Sequence, residues 1–166
     1  MKISDALLPE FDQEMATTRR TLERVPEDKM DWRPHQKSMT MGRLACHIAE
    51  IPGFASSAAR ADSMDLAKGE YKEIQATGRQ QLLEAFDQTV AEARSAIANI
   101  GDAELMKPWS LRRGEITLLR MPKAAVIRTL TMNHLIHHRG QLSVYLRLTD
   151  TAVPSIYGPS ADEGTL

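Results

Sequence analysis

A chain of 166 residues is long enough to bury one core. Its formal net charge of −1, with 26% charged residues, sets up no strong field for nucleic acid or a membrane surface. The one cysteine, Cys46, excludes an intramolecular disulfide and a cysteine-rich zinc site. No stretch approaches the ~18–20 apolar residues of a membrane span, and Met1-Lys2-Ile3-Ser4-Asp5 lacks the apolar run of a signal peptide. The expectation is one domain over 1–166, cytoplasmic, with neither nucleic acid nor membrane as partner.

Few aromatics (5%) beside abundant Leu, Ala, Ile and Met favour helices over sheets. Leu7, Leu8, Phe11, Met15, Thr18 and Leu22 recur at helical spacing, which predicts a first helix from about Ser4 to Val25, ended by Pro26. Pro9 falls in its first turns, where proline is tolerated. A loop over 26–39 carries Trp32-Arg33-Pro34-His35. The second helix starts near Ser38 or Thr40, either of which can cap it, and Pro52-Gly53 should kink or interrupt it. Residues 61–76 read as polar and irregular. Thr77 and Gln80 have capping-box spacing for a third helix that runs to about Ile100, where Gly101 stops it. Alternation around Arg113-Gly114 within 106–119 gives a weak hairpin signal. The fourth helix begins near Pro122 and continues to about Leu148, and the tail from Thr149 is expected to lie extended across the helices. The predicted fold is therefore all-α, a four-helix bundle with a short β-hairpin before the last helix. Linkers of about 12 and about 20 residues are longer than simple up-down neighbours need.

Three histidines carry the functional reading. His134 and His138 are four residues apart, so a helix sets them on one face about a turn apart. His47 shares a face with Leu44, Ile51 and Phe54 and so points toward a core. If the two helices pack side by side, three imidazoles converge, and three protein ligands leave a position open on a divalent metal. A single helix histidine is more often an ordinary buried or surface residue. His137, three residues after His134, is also within reach, and spacing alone prefers His138 to it only slightly. His35 sits in a loop beside Pro34 and reads as surface. Cys46 points about 100° away from His47 and reads as an inert buried thiol. Glu50, one turn after His47, is a candidate to orient that ring or act as a base, with a solvated helix-face carboxylate the alternative. Gln141, one turn after His138, can line the pocket or bond a neighbouring helix. Arg139 reads as structural, able to bridge to a carboxylate. Glu-x-x-His pairs, His-Glu-x-x-His, phosphate loops and dinucleotide fingerprints are absent, and Arg112-Arg113 is too short for a nucleic-acid patch.

Trp32-Arg33-Pro34-His35 with Lys37 to Gly42, the segment His47-Ile48-Ala49-Glu50, His134 to Gln141 and the tail from Val153 to Glu163 together resemble the DinB/YfiT-like family of metalloenzymes over nearly the whole chain. The resemblance implies an up-down-down-up four-helix bundle, a homodimer, and one divalent metal on His47, His134 and His138. It also implies a small-molecule substrate, since several relatives transfer or use low-molecular-weight thiols. The expected function is that of a metal-dependent thiol S-transferase or hydrolase acting on a small electrophile. The alternative is a non-catalytic metal-binding stress-response protein. Zinc is the default ion; nickel, iron and manganese also suit three neutral nitrogens.

Overall fold

The computed structural model describes residues 2–164. The long helices are α1 (Ile3–Leu22), α2 (Met41–Glu50), α3 (Gly53–Arg60), α4 (Arg79–Asn99) and α7 (His134–Leu148). Two single-turn helices, α5 (Asp102–Leu105) and α6 (Lys123–Val126), flank a strand pair, β2 (Pro108–Arg113) and β3 (Ile116–Pro122). A further strand, β1 (Ser63–Asp65), pairs parallel with β2, and β2 pairs antiparallel with β3.

The fold is mostly helical with a small three-stranded sheet, which corrects the all-α expectation. The segment read as a hairpin belongs to that sheet, whose third strand lies in 61–76, the stretch read as irregular. β1 is only three residues long and exists by pairing with β2, so it leaves no periodic trace in the sequence. Gly114, with φ +60°, occupies a left-handed position in the turn between β2 and β3, where glycine carries no steric penalty.

Pro52 divides the segment read as one second helix. It has no N–H to continue the ladder, so α2 ends at Glu50 and α3 restarts at Gly53. Thr40 caps α2, its hydroxyl accepting the Arg43 N–H at 3.2 Å; Ser38 does not. The backbone N–H groups of Met41 and Gly42 donate to the carbonyls of Trp32 and Met30, so the preceding loop fixes where α2 begins. At α4 the predicted Thr77/Gln80 capping box is corrected. The helix starts two residues later, at Arg79, and Thr77 instead donates its N–H and hydroxyl to Gln81 Oε1 at 3.0 Å each.

The last helical rod, 123–148, contains a π-helical stretch over Ile127–Asn133, between α6 and α7. Its wider i→i+5 turns shift the register on which the 3.6-residue reading relied.

The main core joins Phe11, Met15 and Leu22 of α1 to Leu44 and Ile48 of α2 and to Ile51 just past its end. Leu82, Phe86 and Ile97 of α4 and Leu135, Leu142 and Leu146 of α7 complete it. A second, smaller cluster packs Phe54 and Ala58 of α3 and Val126 of α6 against Met64 and Trp109 on the inner face of the sheet. No helix among the described residues is long and apolar enough to cross a membrane. The tail is pinned across α1 and α7 by Arg20 to the Ser155 carbonyl and by the ion pairs Arg24–Glu163 and Arg147–Asp162.

Candidate metal centre

α2 and α7 pack against one another, and their facing edges bring His47, His134 and His138 together. The ligand nitrogens all lie within 4.8 Å of one another. His134 Nε2 is the central atom, 2.9 Å from His138 Nε2 and 3.4 Å from His47 Nε2. Two nitrogens bound to one ion at about 2.1 Å stand roughly 3.0 Å apart at a right angle and roughly 3.4 Å apart at the tetrahedral angle. The 3.4 Å separation matches the tetrahedral value and the 2.9 Å one lies just under the right-angle value, so the three rings can hold a metal ion.

For His47 and His138 the partner of the other ring nitrogen explains why Nε2 faces inward. His47 Nδ1 lies 3.2 Å from Glu50 Oε2 and 3.1 Å from the Tyr71 hydroxyl. Glu50 is buried, and Arg43 grips both of its oxygens at 2.7 and 2.8 Å. The Ile74 N–H donates to it at 2.7 Å, and the Tyr71 hydroxyl donates to Oε2. Burial pushes the Glu50 carboxyl up, but hydrogen bonds from His47, Arg43, Tyr71 and the Ile74 N–H outweigh it and bring it down to about 2. An ionised carboxylate only accepts, so Tyr71 must donate to it and His47 Nδ1 must carry the proton. That tautomer leaves the lone pair on Nε2. His138 Nδ1 lies 2.7 Å from Gln141 Oε1, which as an acceptor imposes the same tautomer.

His134 Nδ1 is buried without a well-formed hydrogen bond. Burial and then the neighbouring imidazoles of His138 and His47 push His134 down to about 4, opposed by the Leu130 carbonyl in a geometry too poor to count as a hydrogen bond. Burial also lowers His138, against the bond to Gln141. Both shifts favour the neutral ring that metal ligation requires. Tyr71 and Glu50 also lie in a cleft of about 890 Å³ shared with Met64 and Arg60. Its wall includes Phe54, which stacks on Tyr71 with centroids 5.7 Å apart and stands 6.2 Å from the His134 ring.

The remaining candidates separate cleanly. His137 is exposed and packs edge-on against His138 without joining the cluster. His35 is exposed, its Nδ1 accepting the Lys37 N–H. Cys46 is buried and free, and burial raises its thiol pKa. Glu50 is not a solvated surface carboxylate but the hub of the polar network behind His47. Gln141 is exposed along α7 while its amide oxygen holds His138. Arg43 and Tyr71 are absent from the sequence reading. Arg43, His47 and Glu50 are spaced four and three residues apart on one helix, a stripe that was available to find. Tyr71 lies in an irregular segment with no period to betray it.

A helical domain with a three-histidine cluster and a buried carboxylate behind it matches known proteins along its whole length. The chain belongs to the DinB family, whose model matches residues 1–165. It is similar to the uncharacterized protein YrdA of Bacillus subtilis (strain 168), at 24% identity over 96% of this chain and 90% of that protein. Among solved structures it resembles a DinB-like protein from Bacillus cereus ATCC 10987, with TM-score 0.71 and 22% identity over 94% of this chain and 98% of that one. It also resembles the DinB-like protein YjoA from Bacillus subtilis, with TM-score 0.70 and 20% identity over 91% and 97% of the two chains.

Proposed function

We propose that the protein is a divalent-metal-dependent enzyme that joins or hydrolyses a small electrophilic substrate, with a low-molecular-weight thiol or water as nucleophile. The supporting observation is the meeting of three Nε2 atoms, with separations of 2.9 and 3.4 Å from that of His134, where partners on Nδ1 fix the tautomers of His47 and His138. A divalent ion held there supplies a positive centre that lowers the pKa of a thiol or water. His47, His134 and His138 hold the ion. Glu50 and Tyr71 keep His47 in the ligating tautomer, and Gln141 does the same for His138. Phe54 and Tyr71 form an aromatic wall of the adjoining cleft, beside His134. Zinc is the proposed ion.

A non-catalytic metal-binding stress-response role is the alternative, and a closed four-ligand site would favour it. The cluster among the described residues has three ligating side chains, and Glu50 is committed to Arg43, Tyr71 and Ile74. The long helices α1, α2–α3, α4 and α6–α7 are read as the up-down-down-up bundle that the family resemblance implies.

The test is turnover of an activated aryl halide by untagged, zinc-loaded protein, with and without added thiol. The expected result is consumption that needs both protein and thiol, stops on chelation and returns with zinc. Rates unchanged by chelation would sink the enzyme reading.

We also propose a homodimer. Val144 and Leu148 lie one turn apart on the outer side of α7, 56% and 57% exposed, and a second copy covers such a face. Light scattering should return about twice the chain mass; a monomer would contradict this.

A further inference from the structure

The small sheet has two unlike faces. Trp109, Met64 and Met121 turn inward to the second core cluster. The opposite face carries hydroxyls and cations together with two carboxylates, Asp65 in register with Arg112 and Asp62 in the lining of the cleft. Ser63 stands opposite Ser110, Ser110 opposite Arg120, and Arg112 opposite Thr117. Directly opposed residues share a face, so these five side chains, with Lys107, line one cleft of about 480 Å³.

We propose that this cleft binds the phosphoryl group of a small phosphate-bearing ligand. The proposal is independent of the candidate metal centre. Its two arginines are unspent, while Lys107 is shared with Glu104. Most arginines elsewhere meet carboxylates, as Arg94 meets Asp12 and Arg147 meets Asp162, although Arg20 and Arg33 bond only backbone carbonyls. Among the described residues, Arg112 and Arg120 make neither an ion pair nor a side-chain hydrogen bond, and Arg112 Nε is buried without a partner.

The nearby acids are already engaged. Asp62 pairs with the buried Lys123 at 2.8 Å. Glu104 pairs with Lys123 and Lys107 at 2.6 and 2.7 Å. Asp65, beside Arg112 in register, is buried and accepts the N–H groups of Gly114 and Ala67 through Oδ1, each at 2.9 Å.

Two guanidinium forks, three hydroxyls and one ammonium around a concave surface suit an anion with several oxygens, which guanidinium binds in bidentate fashion. A polynucleotide fits less well. The net charge is −1, and the neighbouring Arg113 belongs to the other side of the strand, so no basic track extends from the cleft. The Arg112-Arg113 doublet, uninformative as a sequence run, matters because the sheet sets Arg112 near Arg120 across the strands.

The test is a titration of the full-length protein with inorganic pyrophosphate at constant ionic strength, followed by ¹H–¹⁵N NMR. Saturable shifts confined to the amides of 62–65, 107–113 and 116–122 are expected, with a dissociation constant below about 1 mM. R112Q/R120Q should weaken binding at least about tenfold and leave the spectrum elsewhere unchanged. R120Q alone, at an exposed position, should weaken it measurably should the double variant fold poorly. Non-saturating shifts, or wild-type affinity in the variants, would overturn the proposal. Shifts centred on His47, His134 and His138 would move the anion to the metal centre and overturn it too. A short single-stranded oligonucleotide binding more tightly than pyrophosphate would replace the small ligand with a polymer.

Discussion

His134→Ala should lower divalent-metal affinity by more than the about 10–100-fold that loss of a supporting residue behind a ligand typically costs. His134 Nε2 is the atom both other rings approach, at 2.9 and 3.4 Å, so its removal leaves two nitrogens whose separation no third ligand bridges. His47→Ala and His138→Ala should fall in the same class. His137→Ala and His35→Ala should leave affinity unchanged, since both rings lie outside the cluster. Glu50→Gln should weaken binding by about 10–100-fold: it keeps the shape but removes the charge that Arg43 clamps and that fixes the His47 tautomer. Competition with a chromophoric chelator near neutral pH measures the whole series. At that pH His134, held down to about 4, offers its lone pair without proton competition. If His137→Ala abolished binding while His138→Ala did not, the register of α7 would be wrong. If His134→Ala bound metal as the wild type does, the centre would not be there at all.

The three histidines were legible in the sequence because each sits in a segment that reads as helix. Spacing of four put His134 beside His138, and the Leu44/Ile51/Phe54 stripe aimed His47 inward. The network behind them was only half legible. Glu50 looked like a helix-face carboxylate until packing buried it, and its value depends on Tyr71 and the Ile74 N–H from a distant, aperiodic segment. Periodicity reports a residue's own element, not what a loop lays over it. The same limit hid β1, which exists only through its parallel pairing with β2. It hid the π-helical stretch over Ile127–Asn133 as well, since apolar residues continue through it while the turns widen.

Arg139 reads in the sequence as a structural residue able to bridge to a carboxylate, and the structure gives it that partner at depth. Its side chain is 1% exposed and lies 2.8 Å from Glu14 Oε2. It also donates to the Thr18 hydroxyl at 3.1 Å, the Glu14 carbonyl at 3.2 Å and the Tyr157 hydroxyl at 2.8 Å. Tyr157 in turn donates to Glu14, with its oxygen 2.9 Å from both carboxylate oxygens. This network ties α7, α1 and the tail together. Arg139→Ala strands the Glu14 carboxylate in a buried site with only a phenol to satisfy it, and breaking one partner of such a pair costs about 3–5 kcal/mol. Urea denaturation of chelator-treated protein should show that loss as a lower midpoint with an unchanged slope, free of any contribution from bound metal. Replacing both partners by apolar residues, as in E14M/R139M, should recover most of it, because no charge is then left buried alone. A penalty in the double variant equal to the sum of the single ones would show that the two side chains act independently and that the buried pair is not the unit of stability.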